Sequence, residues 1–139
     1  MIHIIMGLKG SGKTKKMLEE LHQTVASATG DVVCIEHGKT LTYDVNYRVR
    51  LVDAKEYGIN SAELLKGFLS GLHAGNFDIT HVYVDNLYRT LSKPVDADSS
   101  VCDEFLAWAA RFAEVNNMSL TFTVSEDPAN ASEEMKKYL

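Results

Sequence analysis

The stretch "MIHIIMGLKGSGKT" (residues 1–14) opens the chain and decides the fold expected for the rest. Its apolar run, residues 2–6, has the length of a strand and the unbroken hydrophobicity of one that is covered on both faces. A glycine-rich loop follows, and from Lys13 to about residue 28 apolar side chains recur at helical spacing. Strand, glycine-rich loop and helix in direct succession predict the first unit of a parallel α/β sheet.

The alternation of apolar strands and amphipathic helices continues along the chain. Further strands are expected at 31–37, 78–86 and 118–124, and helices at about 60–75 and 100–116. The alternating stretch "YRVRLV" (47–52) predicts a half-exposed edge strand, alone or paired with "TLTYD" (40–44). No repeat or composition break divides the sequence. We therefore expect one domain, residues 1–139, with three α/β/α layers and a mostly parallel central sheet.

Helix starts are signalled at two further points. Asn60, with Glu63 three residues later, resembles a capping box for the helix that Gly75 would end. Asp127 followed by Pro128 predicts the N-cap and first residue of a short last helix.

Composition and charge limit the function classes. Of 139 residues, 45% are hydrophobic and 24% charged, as in ordinary globular proteins. Nineteen acidic against fourteen basic residues give a net charge of −5, which disfavours general binding of nucleic acid. The sequence has no secretory signal pattern and no apolar run near the roughly 20 residues of a membrane span, so we expect a cytoplasmic protein without a membrane partner. Its two cysteines, Cys34 and Cys102, form neither a metal spacing nor a disulfide framework.

The glycine-rich loop matches the phosphate-binding pattern G-x-x-x-x-G-K-[ST] at every position. Such a loop turns successive backbone N–H groups toward a polyphosphate, and the helix that follows adds its positive dipole end. Lys13 is the candidate catalytic contact to the β- and γ-phosphates, and the Thr14 hydroxyl is a candidate Mg²⁺ ligand. The candidate nucleotide-binding residues are Gly7, Leu8, Lys9, Gly10, Ser11, Gly12, Lys13, Thr14 and Lys15.

A second metal-binding group is expected where the strand "HVYVD" ends. Asp85 closes this apolar run, so it would lie at the carboxyl edge of the sheet, where open α/β folds bind ligands. Its carboxylate could hold Mg²⁺ through water. Many ATPases place a glutamate directly after this aspartate, whereas this chain has Asn86. Since no Asn-Lys-x-Asp guanine motif occurs, ATP is favoured over GTP.

Several stretches resemble the RecA-like ATPase core of the P-loop NTPase superfamily. "VVCIEHGKTL" is similar to the strand that is followed by a Glu-His pair, and "FDITHVYVDNL" to the metal-binding strand. "LAWAARFAEVNNMSLTFTVSED" is similar to the next helix and strand, which end at a polar residue that senses the γ-phosphate. The resemblance implies that Glu36 is a catalytic base acting on water and that Ser125 is a sensor. It also implies that strand 118–124 lies between strand 2–6 and the strand of Asp85, which are direct neighbours in the kinase and GTPase branch.

Three function classes remain open from the sequence. The first is a Mg²⁺-dependent ATPase with this minimal core, acting with a protein partner or as a homo-oligomer. The second is a nucleotide-dependent switch that binds ATP and hydrolyses it poorly, which Asn86 favours. The third is a small-molecule, nucleoside or nucleotide kinase. Kinases usually close an arginine-bearing lid over both substrates, and the loop 87–99, with one Arg and one Lys, would form only a thin one. Arg89 is a candidate arginine finger within this subunit or toward an adjacent one.

Overall fold

The computed structural model describes residues 1–41, 44–93 and 98–139, and in these ranges five strands form one sheet with helices on both faces. The strands are β1 (Ile2–Gly7), β2 (Asp31–Glu36), β3 (Arg50–Asp53), β4 (Ile79–Asp85) and β5 (Ser119–Ser125). The helices are α1 (Lys13–Ser27), α2 (Ala62–Gly75), α3 (Leu87–Thr90), α4 (Ser100–Val115) and α5 (Glu133–Lys136), and a 3₁₀ turn covers Pro128–Asn130. The expected α/β class is confirmed.

The sheet order is β1-β5-β4-β2-β3, and every pair of neighbours is parallel. Strand β5 pairs with β1 on one side and with β4 on the other, so the predicted insertion of residues 118–124 between these strands is confirmed. The register aligns Gly7 with Ser125 and aligns Glu36 with both Asp85 and Asp53. Residues from all five strands therefore end at one edge, the carboxyl edge.

Two hydrophobic cores lie on opposite faces of the sheet, because alternate strand residues point to opposite sides. On one face, α1 buries Met17, Leu21 and Val25 against side chains that include Ile5 and Tyr83. On the other face, α2, α4 and α5 pack on a larger core. Its fully buried members include Ile35, Leu65, Leu69, Val84, Phe105, Leu106, Leu120 and Phe122. With one helical layer on each face, the connections after β1 and β4 leave the sheet on opposite sides, which opens a crevice at the carboxyl edge.

Two local predictions are wrong. The N-cap of α2 is Ser61 rather than Asn60, since the Ser61 hydroxyl accepts from the backbone N–H of Leu64. The edge strand is shorter than 47–52 and ends one residue later. A turn replaces its first part, in which the Asn46 side chain accepts from the N–H of Arg48 at 2.9 Å.

Other predictions agree in part or fall partly outside the described ranges. The stretch 87–99 was expected to be a loop, but Leu87–Thr90 form α3, and residues 94–97 lie outside the described residues. The Asp127 side chain accepts from the N–H of Ala129, but the element that it caps is a 3₁₀ turn. The prediction of the last helix at this point is therefore wrong, since α5 begins at Glu133 with Ser132 as its N-cap. The proposed pairing of "TLTYD" with the edge strand includes residues 42–43, which lie outside the described residues. Among the described helices, none has the length and apolar character needed to cross a membrane.

Candidate functional site

The glycine-rich loop leaves β1 at Gly7 and enters α1 at Lys13. Gly10 and Gly12 have φ angles of 83° and 85°, which are strained for residues with a Cβ. Gly12 is the N-cap of α1, and none of the described side chains caps this helix end. The first backbone N–H groups of a helix lack partners within the helix, and they carry the positive end of its dipole. The loop therefore offers donors to an anion above the carboxyl edge of β1.

Thr14 and Asp85 meet although 71 residues separate them. The Thr14 hydroxyl donates to the Asp85 carboxylate, with Oγ1 at 3.1 Å from Oδ2 and 3.4 Å from Oδ1. From β5, the Thr123 hydroxyl donates to Oδ1 of the same carboxylate at 2.5 Å. Two hydroxyls thus fix the orientation of the one carboxylate that ends β4. The sequence predicted the Thr14–Asp85 juxtaposition but missed Thr123.

Glu36 is 3% exposed, and its carboxylate accepts three hydrogen bonds from the described residues that follow β2. Oε1 accepts from the backbone N–H and the hydroxyl of Thr40, both at 2.9 Å, and Oε2 accepts from the N–H of Leu41 at 3.1 Å. A fourth hydrogen bond holds the same loop, residues 37–41, because the Asp53 carboxylate accepts from the N–H of Gly38 at 2.9 Å. A carboxylate offers about four lone-pair sites, and the described donors occupy three of those of Glu36. Its role as a base stays a prediction, and its role as the anchor of loop 37–41 is observed.

Asn86 and Ser125 form a second polar pair at the same edge. The Asn86 amide donates through Nδ2 to the Ser125 hydroxyl oxygen at 2.8 Å. Its Oδ1 is buried and has no partner among the described residues, and the same is true of Nδ1 of His37. An unpaired buried polar atom costs about 1–3 kcal/mol, and folded proteins retain few of them.

These groups converge on one pocket of about 190 Å³. The described residues that line it are Lys13, Thr14, Glu36, His37, Thr40, Asp85, Asn86 and Arg89. Five predicted site residues, Lys13, Thr14, Glu36, Asp85 and Arg89, are therefore brought together. The other predicted residues do not line the pocket. Ser125 contacts Asn86, and the exposed residues are Leu8, Lys9, Ser11 and Lys15. Gly7 ends β1, and Gly10 and Gly12 belong to the loop that precedes α1.

The charges of the pocket suit a metal-bound anion. Lys13 and Arg89 bring two cationic side chains, and Glu36 and Asp85 bring two carboxylates. Within the described ranges, no group of three or more His, Cys, Asp or Glu side chains could hold a metal ion alone. Protein ligands here are one carboxylate and one hydroxyl, so phosphate or water oxygens must complete any coordination shell. Mg²⁺ accepts that arrangement, since it usually keeps several waters and shares substrate phosphates.

The cysteines do not contribute a nucleophile. Burial, followed by the negative charges of Asp85 and Glu36, raises the pKa of Cys34 to about 12. Burial also raises the pKa of Cys102 to about 12, with Asp103 adding to the shift. Both thiols stay protonated near neutral pH, and the thiol is the unreactive form.

Sequence reasoning missed the residues that hold the site together. Thr123 and Thr40 each bond a carboxylate that the sequence had singled out. The threonines of "LTFTV" on alternate positions were a visible signal, because a buried face of a central strand rarely carries two hydroxyls without partners. Thr40 gave no comparable signal.

Comparison with known proteins adds no evidence about this pocket. The chain matches no protein-family model, and no curated protein is significantly similar to it.

Proposed function

We propose that this protein is a cytoplasmic, P-loop-type ATP-binding protein that acts as a Mg²⁺-dependent ATPase or as a nucleotide-dependent switch. The observation that carries the proposal is the contact between Thr14 and Asp85 beside Lys13. It unites the end of the glycine-rich loop with the end of a distant strand in one pocket. A hydroxyl and a carboxylate at this spacing can face one hydrated cation, while Lys13 faces the anion that the cation accompanies.

Magnesium fits the donor set that these residues present. All the donor atoms are oxygens, from the Thr14 hydroxyl and the Asp85 carboxylate, and the carboxylate is held in place by Thr123. When bound, Mg²⁺ would neutralise charge on the phosphates. The chain itself would bind the phosphates with the loop N–H groups, orient them with Lys13, and shield the reacting end inside the pocket.

The strand order supports a hydrolase or switch over a kinase. Strand β5 separates β1 from β4, which is the arrangement that the RecA-like resemblance implies and the kinase branch does not.

Calorimetric titration with ATP, ADP and GTP, each with and without Mg²⁺, tests the binding proposal. We expect ATP to bind in the micromolar range or tighter with Mg²⁺ and GTP to bind more weakly. Absence of ATP binding would refute the proposal. A phosphate-release assay beside a transfer assay, with radiolabelled ATP and a panel of nucleoside and sugar acceptors, then separates hydrolase from kinase. Transfer without release would establish the kinase alternative.

A further inference from the structure

Asn86 occupies the position directly after the metal-binding carboxylate, and the structure fixes its side chain from one end only. Its backbone carbonyl accepts from the N–H of Thr90 at 3.0 Å and from the Thr90 hydroxyl at 2.9 Å, which starts α3. Its Nδ2 donates to Ser125, and its Oδ1 is buried without a partner among the described residues. The amide is thus oriented by one contact while its acceptor end is left open.

The second buried polar atom that lacks a partner in the described ranges belongs to the same pocket. It is Nδ1 of His37, and both His37 and Asn86 line the pocket with Lys13 and Asp85. Buried polar atoms are normally paired, so two exceptions in one small pocket indicate a site completed by a ligand. No other buried side-chain nitrogen or oxygen of the described residues shares this state.

The chemistry of Oδ1 restricts what that ligand can be. An amide oxygen only accepts hydrogen bonds, and the oxygens of an ionised γ-phosphate also only accept. The partner of Oδ1 must therefore carry an O–H or N–H group. Beside the γ-phosphate of a bound nucleotide, the group that fits is the attacking water, or the hydroxyl of a phosphoryl acceptor.

We propose, on the basis of the function proposed above, that Asn86 Oδ1 accepts a hydrogen bond from the nucleophilic water and that Ser125 positions Asn86. In this step the water oxygen bonds to the γ-phosphorus, the bond from that phosphorus to the β–γ bridging oxygen breaks, and ADP leaves with that oxygen. One water proton stays on the phosphate and the other passes to Glu36 or to solvent. Asn86 holds the water and takes no proton. Ser125 acts through Asn86 rather than by sensing the phosphate directly.

Four variants test this assignment: Asn86→Ala, Ser125→Ala, Ser125→Thr and the double variant Asn86→Ala/Ser125→Ala. Ser119→Ala at the far end of β5 and Asn116→Ala after α4 are matched controls, and thermal unfolding of every variant monitors the fold. We expect kcat to fall at least about 30-fold in Asn86→Ala and about tenfold in Ser125→Ala. Ser125→Thr, which keeps the hydroxyl, should recover most of the loss. The double variant should be no slower than Asn86→Ala, because both residues act through one contact.

Affinities for ATP and ADP discriminate this arrangement from the alternative amide orientation. If Asn86 holds the nucleophile, both affinities stay within about twofold of the wild type in Asn86→Ala. An amide turned by 180° would present Nδ2 to the γ-phosphate, and Asn86→Ala would then weaken ATP binding while sparing ADP. That result, or an unchanged kcat, would overturn the inference. Failure of the wild type to bind ATP would instead refute the proposed function, on which this inference rests.

A second measurement decides the case in which the wild type turns over too slowly to assay. ADP with aluminium fluoride imitates the transferring phosphoryl group with an axial water. We expect Asn86→Ala to weaken this complex at least tenfold relative to ADP alone, and Asn116→Ala to leave it unchanged. Equal affinity in wild type and Asn86→Ala, or no binding of this complex to the wild type, would overturn the inference.

Discussion

Two pockets at opposite edges of the sheet differ in volume and in how far their polar groups are paired. The larger, about 590 Å³, lies near the amino ends of β1, β4 and β5, beside the last turns of α1. Four of its polar side chains are paired with one another, Thr24 with Tyr83 at 2.7 Å and His3 with Glu20 at 3.3 Å, and none of the unpaired buried polar atoms of the described residues lies in it. The smaller pocket, about 190 Å³, lies at the carboxyl edge and contains both unpaired buried polar atoms of the described residues.

The proposed function therefore rests on unmet hydrogen bonds and concentrated charge, rather than on volume, as the features that indicate a ligand site. A fold that has satisfied its polar groups internally gains little from a polar ligand, since binding would have to replace existing bonds. The carboxyl-edge pocket instead combines an uncapped helix start, Lys13, and a fixed carboxylate, Asp85. We therefore expect substitutions to affect nucleotide chemistry at one edge and not at the other.

Glu36→Gln is expected to produce the largest effect. The glutamine amide cannot take a proton from water near neutral pH, so turnover should fall about 10²-fold or more while ATP affinity is retained. Steady-state phosphate release at saturating ATP, with calorimetric affinity, measures both quantities. The substitution also places an amide N–H₂ near the backbone donors of Thr40 and Leu41, so it should lower the free energy of unfolding by about 1–3 kcal/mol.

Thr40→Ala is the control that separates the two roles of Glu36. It removes one hydrogen bond to the carboxylate and leaves the charge in place. If Glu36 is a base, turnover in Thr40→Ala stays within about threefold of the wild type, although stability falls by about 1 kcal/mol. Turnover that follows stability in both variants would mean that Glu36 only anchors loop 37–41.

Lys13→Ala should have the next largest effect. Charge-assisted contacts to phosphate are among the strong hydrogen bonds, so ATP affinity should fall at least tenfold, about 1.4 kcal/mol, with the fold intact. Lys55→Ala, an exposed lysine after β3, is the matched control and should bind as the wild type does. Equal calorimetric affinity in wild type and Lys13→Ala would be incompatible with the phosphate site.

The sequence predicted the framework of this site because its signals are local. Residues 2–14 set a strand, loop and helix whose spacing is visible in a short window, and the apolar run before Asp85 places that carboxylate at a strand end. The contacts that orient the groups could not be predicted in this way. Thr123 reaches Asp85 across neighbouring strands, and this depends on the register between β4 and β5, which no local pattern encodes. The Ser61 cap was missed for a different reason, since Asn60 and Ser61 are both good N-caps and adjacent.

Asp85→Asn is expected to have a smaller effect that appears only with metal. The amide keeps the size of the side chain and one acceptor for the hydroxyls of Thr14 and Thr123, but it removes the negative charge. Affinity for ATP with Mg²⁺ should fall several-fold, and affinity measured in a chelator should stay equal or rise. Titration of Mg²⁺ against a fixed ATP concentration measures the change. An equal loss of affinity with and without Mg²⁺ would show that Asp85 supports the fold rather than the metal.

Tyr83→Phe, at the larger pocket, should have the smallest effect on the nucleotide. Burial raises the pKa of Tyr83, and among the described residues its hydroxyl forms a hydrogen bond only with Thr24, so the change removes one internal hydrogen bond. Unfolding free energy should fall by about 0.5–1.5 kcal/mol, while ATP affinity and turnover stay within twofold of the wild type. Thr24→Val, which removes the other partner of the same bond, should give the same pair of results. A substantial loss of ATP affinity in either variant, at temperatures where it remains folded, would mean that the two edges are coupled. The presence of unpaired buried polar atoms in one pocket, and their absence from the other, would then no longer indicate which pocket binds the nucleotide.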